Sequence, residues 1–293
     1  MPRQTLPQIR SLFFTPANDR RKMERVFDFG ADAVNLDLED AVLISEKPAA
    51  RALLRETLDR RTASTKPRIV VRINAPSLGL VDADLDAAVH PRVFAVQITK
   101  VQSPDEVRMV DERISRLEAA RGIPAGTIKL ISSIDSPFLV LNLADYVRSS
   151  KRFYCVIIGG ADYAVSIGLR ASSSQIESLW ARSYGVLVCR DAGLAPPLHP
   201  CNFNLDNVEE YEALITSGKQ LGFQGAIALH PKQVAIAQRV FSPTDAEIVQ
   251  ARELMREFQA MQAKGAGTLK TASGEFIDYA IVAWAEEILA RVE

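Results

Sequence analysis

The chain has 293 residues, of which 47% are hydrophobic and 24% are charged, as is typical of a globular protein that buries a large core. Its 35 basic and 36 acidic residues leave a net charge of -1, which provides no excess of positive charge to attract nucleic acid or an anionic membrane. No run of about 18 apolar residues and no apolar signal region are present, so we expect a cytoplasmic protein without nucleic-acid or membrane partners.

Short apolar segments alternate with amphipathic segments along most of the chain, a pattern typical of parallel strands joined by helices. We predict strands near Ser11–Phe14, Ala33–Leu38, Arg68–Asn74, Phe94–Thr99, Thr127–Ile134, Tyr154–Ile158, Pro197–His199 and Gly225–Leu229. The helices predicted between them include Arg20–Phe29, Glu46–Arg60, Pro104–Arg121, Pro137–Val147, Gln175–Ala192 and Val208–Leu221. Eight such units favour an α/β fold of the (β/α)8 TIM-barrel type over a doubly wound sheet, because no dinucleotide-binding glycine pattern follows the first strand.

A separate segment follows the last predicted strand. Ser242-Pro243-Thr244-Asp245 is a typical helix start, and the helical pattern continues through Gln262. The remaining residues, Thr268–Glu293, predict a short hairpin and one more helix. We therefore expect a barrel domain over residues 1–241 and a C-terminal helical extension over residues 242–293, which could act as a lid or as an arm that reaches the neighbouring subunit.

Aspartates follow two neighbouring predicted strands at the point where each strand ends. Asp135 follows the fifth strand and Asp162 follows the sixth, so both are expected at one mouth of the barrel. Two carboxylates are sufficient for Mg²⁺, which retains several water molecules and substrate oxygens as its other ligands. The alternative is that each aspartate only caps the helix that follows it, and the spacing alone does not decide between the two.

A second polar group is expected at the same mouth. Asp37, Glu39 and Asp40 close the second strand, whereas Arg72 and Lys100 lie at the ends of the third and fourth. An arginine among these acids can bind a substrate carboxylate or stabilise an enolate oxygen, although the five residues can also form a purely structural ring of ion pairs. Lys100 is the one strand-end lysine that could form a Schiff base, which is the main competing mechanism.

Other polar residues receive structural interpretations. For His230 we favour a hydrogen bond to the backbone over an acid–base role. We favour a helix surface for Lys47 and Arg51, although a lysine or arginine at these positions could reach back to the acids. The three cysteines are scattered and the sequence has no nucleophile-elbow motif, so neither a zinc site nor a serine or cysteine nucleophile is indicated.

Several motifs, read in order, resemble the citrate lyase β-subunit-like family of the HpcH/HpaI aldolase superfamily, which includes malyl-CoA and citramalyl-CoA lyases. They are residues 10–18 (RSLFFTPAN), 37–42 (DLEDAV), 46–47 (EK), 71–76 (VRINAP), 159–162 (GGAD) and 229–233 (LHPKQ). The resemblance extends from about Arg10 to the final helix. It implies a (β/α)8 barrel with a C-terminal extension, often a homotrimer, that cleaves or forms a carbon–carbon bond in a short hydroxyacyl-coenzyme A substrate with Mg²⁺.

The resemblance also implies roles for individual residues. The metal pair maps onto Asp135 and Asp162, and the arginine that faces the enolate maps onto Arg72. The acidic motif maps onto Asp37, Glu39 and Asp40. We further expect Arg72, Lys100 and Asp37 to bind substrate, and Glu39 and Asp40 to serve catalysis by orienting Arg72, Lys100 and metal-bound water. In members that use coenzyme A, an aspartate of the C-terminal segment reaches the neighbouring subunit's site, and Asp278 is the matching residue here.

One segment departs from the family pattern. Residues 134–139 read IDSPFL where the family usually has Ile-Glu-Thr-Ala-Arg-Gly, so that Asp135 stands in place of a glutamate and Phe138 and Leu139 replace an arginine and a glycine. The expected reaction is cleavage of a citramalyl-CoA or malyl-CoA type substrate to acetyl-CoA and a 2-oxo acid. The alternatives are a citryl-thioester lyase subunit, an aldolase of a free hydroxy acid, and a divergent barrel without catalytic function.

Overall fold

Eight parallel strands form a closed barrel in the order β1 to β8, so the predicted (β/α)8 fold is confirmed. The computed structural model describes residues 6–61, 66–262, 269–270, 276–277 and 279–292. The strands are β1 Ser11–Pro16, β2 Ala33–Asp37, β3 Arg68–Arg72, β4 Val93–Ile98, β5 Lys129–Ile134, β6 Phe153–Ile158, β7 Leu198–His199 and β8 Gly225–Ala228. All eight predicted strands are present, and β7 contains only two residues, next to Pro196 and Pro197.

The helices α1 to α10 connect and follow these strands. They are α1 Arg20–Arg25, α2 Lys47–Arg60, α3 Val81–Ala88, α4 Pro104–Ala120, α5 Pro137–Leu141, α6 Leu143–Val147, α7 Ala161–Ser166, α8 Leu179–Asp191, α9 Val208–Leu221 and α10 Pro231–Phe241. The predicted helix Val208–Leu221 is observed with the same bounds, whereas α3, α7 and α10 have no counterpart among the helices named from the sequence.

Two hydrophobic clusters hold the barrel together. The larger cluster lies between the outer faces of the strands and the helices. The smaller one fills the interior with apolar side chains that include Leu12, Ala33, Val70, Ala95 and Ile131. Because side chains alternate along a strand, the next inward position on β2, β4 and β5 lies nearer the C-terminal mouth. Those positions are polar, and they separate the apolar layer from the charged strand ends.

The chain divides into two compact units, Met1–Arg239 and Val240–Glu293. Within the second unit, α11 (Asp245–Gln262) starts at Thr244, whose hydroxyl accepts a hydrogen bond from the Glu247 N–H at 3.1 Å. The strands β9 (Leu269–Lys270) and β10 (Phe276–Ile277) form an antiparallel pair before α12 (Tyr279–Leu289), as the hairpin-and-helix prediction required. Among the described residues, no helix combines the length and hydrophobicity needed to cross a bilayer.

Candidate active site

The charged strand ends meet at the C-terminal mouth of the barrel. Asp37 and Arg72 are the last residues of β2 and β3, and they are direct partners in the parallel register between these strands. Lys100 lies two residues beyond β4, Asp135 follows β5 directly, and Asp162 is the second residue of α7, which follows β6. The barrel therefore places all five side chains at the end where enzymes of this fold carry their active sites.

Arg72 is held in one orientation by two carboxylates. Its Nε and Nη2 atoms donate to the two oxygens of Asp37 at 2.7 and 2.6 Å, and Nη1 lies 3.0 Å from Glu39 Oε2. The guanidinium carbon lies 5.3 Å from the ring centre of Phe14. Burial acts to lower the pKa of Arg72, but the hydrogen bonds and the charge of Asp37 raise it above the usual value, so the side chain stays cationic.

Asp37 organises the turn that follows β2. Besides the two bonds from Arg72, its carboxylate accepts the backbone N–H groups of Glu39 at 2.8 Å and of Ala41 at 3.2 Å. Its side chain is 2% exposed. Both oxygens are engaged and shielded, so Asp37 fixes the orientation of the Arg72 guanidinium, and a direct contact between Asp37 and substrate stays a prediction.

Lys100 links the turn after β2, which carries Glu39 and Asp40, to the end of β5. Its ammonium nitrogen lies 2.6 Å from Glu39 Oε1 and 2.8 Å from Asp40 Oδ1, while its backbone N–H donates to Asp135 Oδ2 at 2.9 Å. The bonds to Asp40 and Glu39 raise the pKa of Lys100 despite its partial burial. A Schiff base requires an unprotonated amine, so the structure disfavours this competing role for Lys100.

The carboxyl groups of Glu39 and Asp40 have pKa values shifted in opposite directions. Burial raises the pKa of Glu39 above its usual value, although Arg72 and Lys100 oppose the shift. Burial also acts to raise the pKa of Asp40, but hydrogen bonds from Lys100 outweigh it and the pKa is lowered. The pair contacts Arg72 and Lys100, as the predicted orienting role requires.

Lys47 belongs to the site's supporting structure, and its assignment to a helix surface was wrong. The side chain is buried, and its ammonium donates to the carbonyl oxygens of Leu38 at 2.8 Å and Glu39 at 3.0 Å. Asn74 Nδ2 donates to the Leu38 carbonyl as well, at 3.1 Å. Lys47 and Asn74 thus hold the backbone of the turn that follows β2. The helical pattern that starts at residue 46 does not indicate this role for Lys47.

Asp135 faces the mouth and does not cap a helix. Its Oδ2 accepts the Thr99 hydroxyl at 3.2 Å in addition to the Lys100 N–H. The cap of α5 is Ser136, whose hydroxyl accepts the Leu139 N–H at 3.3 Å. Burial raises the pKa of Asp135, and the nearby negative charge of Asp162 raises it further. The capping alternative is therefore wrong for Asp135.

Asp162 follows a turn whose backbone conformation requires glycine. Gly159 and Gly160 have φ angles of 92° and 95°, and a Cβ atom at Gly160 would lie 3.2 Å from Pro200 Cβ. Asp162 itself is exposed, and in the part of the chain that the structure describes its carboxylate makes no hydrogen bond or ion pair. The carboxylate is thus available to an external cation.

The charges at the mouth suit a divalent cation. Asp37, Glu39 and Asp40 face two cations, whereas Asp135 and Asp162 influence each other as like charges and add further negative charge. No set of three or more histidine, cysteine, aspartate or glutamate side chains within the described ranges could hold a metal ion. Two hard carboxylate ligands are nevertheless a common arrangement for Mg²⁺, so the residues present fit this ion.

The remaining candidate residues lie elsewhere or outside the described ranges. The backbone N–H of Lys232 donates to His230 Nδ1 at 3.2 Å, in agreement with the predicted backbone contact. Asp278 lies outside the described residues, so its role stays a prediction.

Comparison with known proteins identifies the family. The profile of the HpcH/HpaI aldolase/citrate lyase family matches residues 10–231. The chain belongs to this family. As a member of the HpcH/HpaI family it is an enzyme of the carbon–carbon lyase class, which confirms both the predicted family and the predicted enzyme class.

Characterised relatives cover nearly the whole chain. Citrate lyase subunit beta of Haemophilus influenzae is 29% identical over 97% of this chain and 97% of its own length. The L-malyl-CoA/beta-methylmalyl-CoA lyase of Rhodobacter capsulatus is also 29% identical, over 97% of this chain and 94% of its own. Mouse mitochondrial citramalyl-CoA lyase is 27% identical over 96% and 85%.

Solved structures agree with the barrel fold. The CitE protein of Mycobacterium tuberculosis, determined with magnesium, acetoacetate and coenzyme A, aligns with a TM-score of 0.75 and 22% identity over 97% of this chain and 98% of its own. The malate synthase of Haloferax volcanii, in a magnesium and glyoxylate complex, aligns with a TM-score of 0.72 and 19% identity over 83% and 78%. At these identities the alignments support the fold.

Proposed function

We propose that this protein is a Mg²⁺-dependent lyase that cleaves a short 3-hydroxyacyl-CoA of the citramalyl-CoA or malyl-CoA type. The products are acetyl-CoA and a 2-oxo acid. The observation that carries the proposal is the convergence of Asp135, Asp162 and the Arg72–Asp37 pair at one barrel mouth. Relatives named as malyl-CoA and citramalyl-CoA lyases, which align over almost the entire chain, support the choice of substrate class.

Asp135 and Asp162 would hold the metal ion. Bound Mg²⁺ supplies a Lewis acid that polarises the oxygens of the acid portion of the substrate. Mg²⁺ in the CitE and malate synthase structures supports the identity of the ion. Thr99 and the Lys100 N–H keep the Asp135 carboxylate oriented, whereas the Gly159–Gly160 turn carries Asp162 towards it.

Arg72 would stabilise the charge that develops on the thioester. In the cleavage, the hydroxyl gives its proton to water at the open mouth and becomes a carbonyl, the carbon–carbon bond breaks, and its electron pair passes to the thioester as an enolate. A guanidinium has five N–H groups, of which three face Asp37 and Glu39, so two remain for the enolate oxygen. Hydrogen-bond donors that are already in position before the reaction stabilise the developing negative charge, because no side chain has to move first.

The enolate carbon must then gain a proton to give acetyl-CoA. We assign this step to Asp278 of a neighbouring subunit, on the basis of the family resemblance described above. Glu39 and Asp40 have an orienting role, because their carboxylates hold the cationic ends of Arg72 and Lys100.

A site shared between subunits requires an oligomer, and we propose a homotrimer. Large apolar side chains are exposed on or beside α5 to α8, including Leu141 at 71%, Val165 at 70%, Trp180 at 61% and Leu187 at 67%. Exposed apolar side chains of this size support a protein–protein contact on these helices.

The direct test is product analysis with purified protein and Mg²⁺. We expect citramalyl-CoA or malyl-CoA to give acetyl-CoA and pyruvate or glyoxylate in equal amounts, and we expect excess chelator to abolish the reaction. Absence of cleavage for both thioesters in saturating Mg²⁺, or full activity in chelator, would contradict the proposal.

A citryl-thioester lyase is the second candidate, because citrate lyase subunit beta of H. influenzae matches 97% of this chain. The two functions differ in the carrier of the acyl group. Binding of free coenzyme A by calorimetry, with an acyl-carrier protein as the competing ligand, separates them. Tight coenzyme A binding favours the CoA-ester lyase, whereas binding of the carrier protein alone favours the subunit role.

A further inference from the structure

A polar layer lies inside the barrel directly beneath the charged mouth. Asn35 and Ser133 are two residues before Asp37 and Asp135 on β2 and β5, so they point to the same inner side of the barrel. Gln97, near the end of β4, lies between them and bonds to both. The next residues on each strand towards the opposite end, such as Ala33, Ala95 and Ile131, belong to the apolar interior cluster.

The three polar side chains form a chain of hydrogen bonds with a defined direction. Asn35 Nδ2 donates to Gln97 Oε1, and Gln97 Nε2 donates to Ser133 Oγ at 3.0 Å. The opposite direction would leave the N–H groups of the Asn35 amide buried without an acceptor, whereas the observed one leaves only its Oδ1 without a partner. The Ser133 oxygen is therefore an acceptor within the layer, and its own hydrogen is directed elsewhere.

Ser133 is the member of this layer that the solvent reaches. Asn35 and Gln97 are 0% and 1% exposed, whereas Ser133 is partly exposed. Among the described residues, no side chain or carbonyl accepts the Ser133 hydroxyl hydrogen. Its neighbour Ser132 points outward and shares a hydrogen bond of 2.7 Å with Tyr146 Oη. The fold thus presents one unsatisfied hydroxyl donor at the floor of the mouth, next to Asp135.

We propose that Ser133 is a specificity-determining residue that donates a hydrogen bond to an oxygen of the acid portion of the substrate. The inference rests on the proposed lyase function and assigns a further contact to the same site. The ligand class is a short 2-oxo acid, or the matching part of the hydroxyacyl thioester, with an acceptor oxygen that points towards the barrel floor. Gln97 keeps the Ser133 oxygen in place, so the donor is available without rearrangement.

The contact favours substrates that carry an oxygen at this point over those that carry a methyl group. A site built around a hydrogen-bond donor loses affinity for an analogue that leaves the donor unpaired. Loss of one neutral hydrogen bond corresponds to about a tenfold change in affinity.

The test is calorimetric binding of pyruvate and of glyoxylate to the Mg²⁺-loaded full chain. For whichever of the two acids the wild type binds more tightly, Ser133→Ala should raise the Kd about tenfold. Ser133→Thr retains the hydroxyl, so its Kd should stay within threefold of the wild-type value. Ser132→Ala is the matched control, since it removes a hydroxyl from the outer face of the same strand. In the condensation direction, Ser133→Ala should raise KM for the 2-oxo acid and leave KM for acetyl-CoA unchanged.

The outcomes separate this inference from the lyase proposal. Wild-type affinity in Ser133→Ala, with wild-type lyase activity, would overturn the role of Ser133 and leave the lyase proposal standing. An equal loss in Ser132→Ala would also overturn it, because the effect would then be structural. Failure of the wild type to bind any 2-oxo acid in saturating Mg²⁺ would overturn both.

Discussion

Arg72 is a nearly buried cation whose position depends on its two-pronged bond to Asp37. The side chain is 15% exposed and Asp37 is 2% exposed, so solvent screens the pair weakly. A lysine can keep the charge but cannot reproduce two parallel N–H bonds to one carboxylate. Catalysis that depends on the orientation of the guanidinium should therefore be sensitive to a change that conserves the charge.

We expect Arg72→Lys to lower kcat about 100-fold, because fixed donors to a developing enolate contribute about this much. The control is Arg20→Lys, which changes an exposed ion pair with Glu56. The measurement is steady-state turnover, with the unfolding midpoint of each variant as a check of the fold. Turnover near the wild-type value in Arg72→Lys would mean that Arg72 does not face the reacting oxygen.

The sequence indicated where these residues lie but not which of them pair. The alternation of strands and helices places Asp37, Arg72 and Lys100 at one mouth, and that much follows from periodicity. The shielding of Asp37 follows from the register of β2 against β3 and from side-chain rotamers, neither of which is visible in a single sequence. Ser133 could not be singled out because it stands beside Ser132 in β5, and the sequence does not show which of the two serines points into the barrel.

The turn between β2 and α2 is held by Lys47, and no carboxylate of the described residues lies within hydrogen-bond distance of its ammonium group. Lys47 donates to two backbone carbonyls, and burial lowers its pKa. Those carbonyls belong to Leu38 and Glu39, so the lysine determines where the Glu39 carboxylate points. Removal of its ammonium group would take one donor from each carbonyl and leave the other, which is Asn74 Nδ2 for Leu38 and the Val42 N–H for Glu39.

We expect Lys47→Met, which keeps the apolar stem, to lower kcat about tenfold while KM changes little, as is typical of residues that orient active-site groups. The comparison is Lys22→Met, since Lys22 is exposed on α1. Unchanged kcat in Lys47→Met would show that the turn keeps its shape without the lysine.

The seventh strand carries a histidine that must stay neutral. His199 is buried, and its Nε2 lies 3.0 Å from Arg182 Nη1, while Nδ1 lies 3.0 Å from the Pro200 carbonyl oxygen. Burial lowers the pKa of His199 to about 4, and Arg182 contributes. Because the unfolded chain binds this proton more readily, stability falls as the pH drops from about 6.5 towards 4.

We predict that His199→Gln removes this part of the acid sensitivity. Between pH 7 and pH 4 the free energy of unfolding of the wild type should fall by roughly 3 kcal/mol more than that of the variant. Urea unfolding at several pH values measures the difference. Parallel pH profiles for the two proteins would contradict the assignment of a neutral histidine.

Two predicted helices differ from the observed ones, one because a side chain competes with the backbone and one because a residue has a left-handed backbone conformation. The predicted helix Pro137–Val147 is divided at Asn142, whose side-chain amide donates to the Phe138 carbonyl at 2.8 Å. The predicted start at Gln175 is delayed to Leu179 because Gln175 has a φ of 50°. Local hydrophobic periodicity does not report either feature.

For the whole molecule, the barrel could be predicted because eight strand–helix units leave few alternative topologies. Within the C-terminal unit, the bounds of α11 match those predicted from Thr244 and Asp245. The action of that unit as a lid, and the trimer, depend on contacts between subunits, which one sequence does not specify.

A shared site predicts complementation between inactive subunits. Asp278→Ala and Asp162→Asn should each be inactive alone, and mixing them under conditions that exchange subunits should restore part of the activity through hybrid sites. The measurement is turnover before and after mixing, with the mass of the oligomer determined by light scattering. No recovery in a verified mixed oligomer would place the proton donor within the same subunit.

The proposed metal pair is best tested by a calorimetric titration of Mg²⁺ into the wild type and Asp162→Asn. Asp145→Asn, at an exposed aspartate of α6, is the control. We predict one site per chain in the wild type and in Asp145→Asn, and loss of binding in Asp162→Asn together with loss of lyase activity. Equal Mg²⁺ affinity in all three proteins would contradict the assignment of Asp135 and Asp162 as the metal pair.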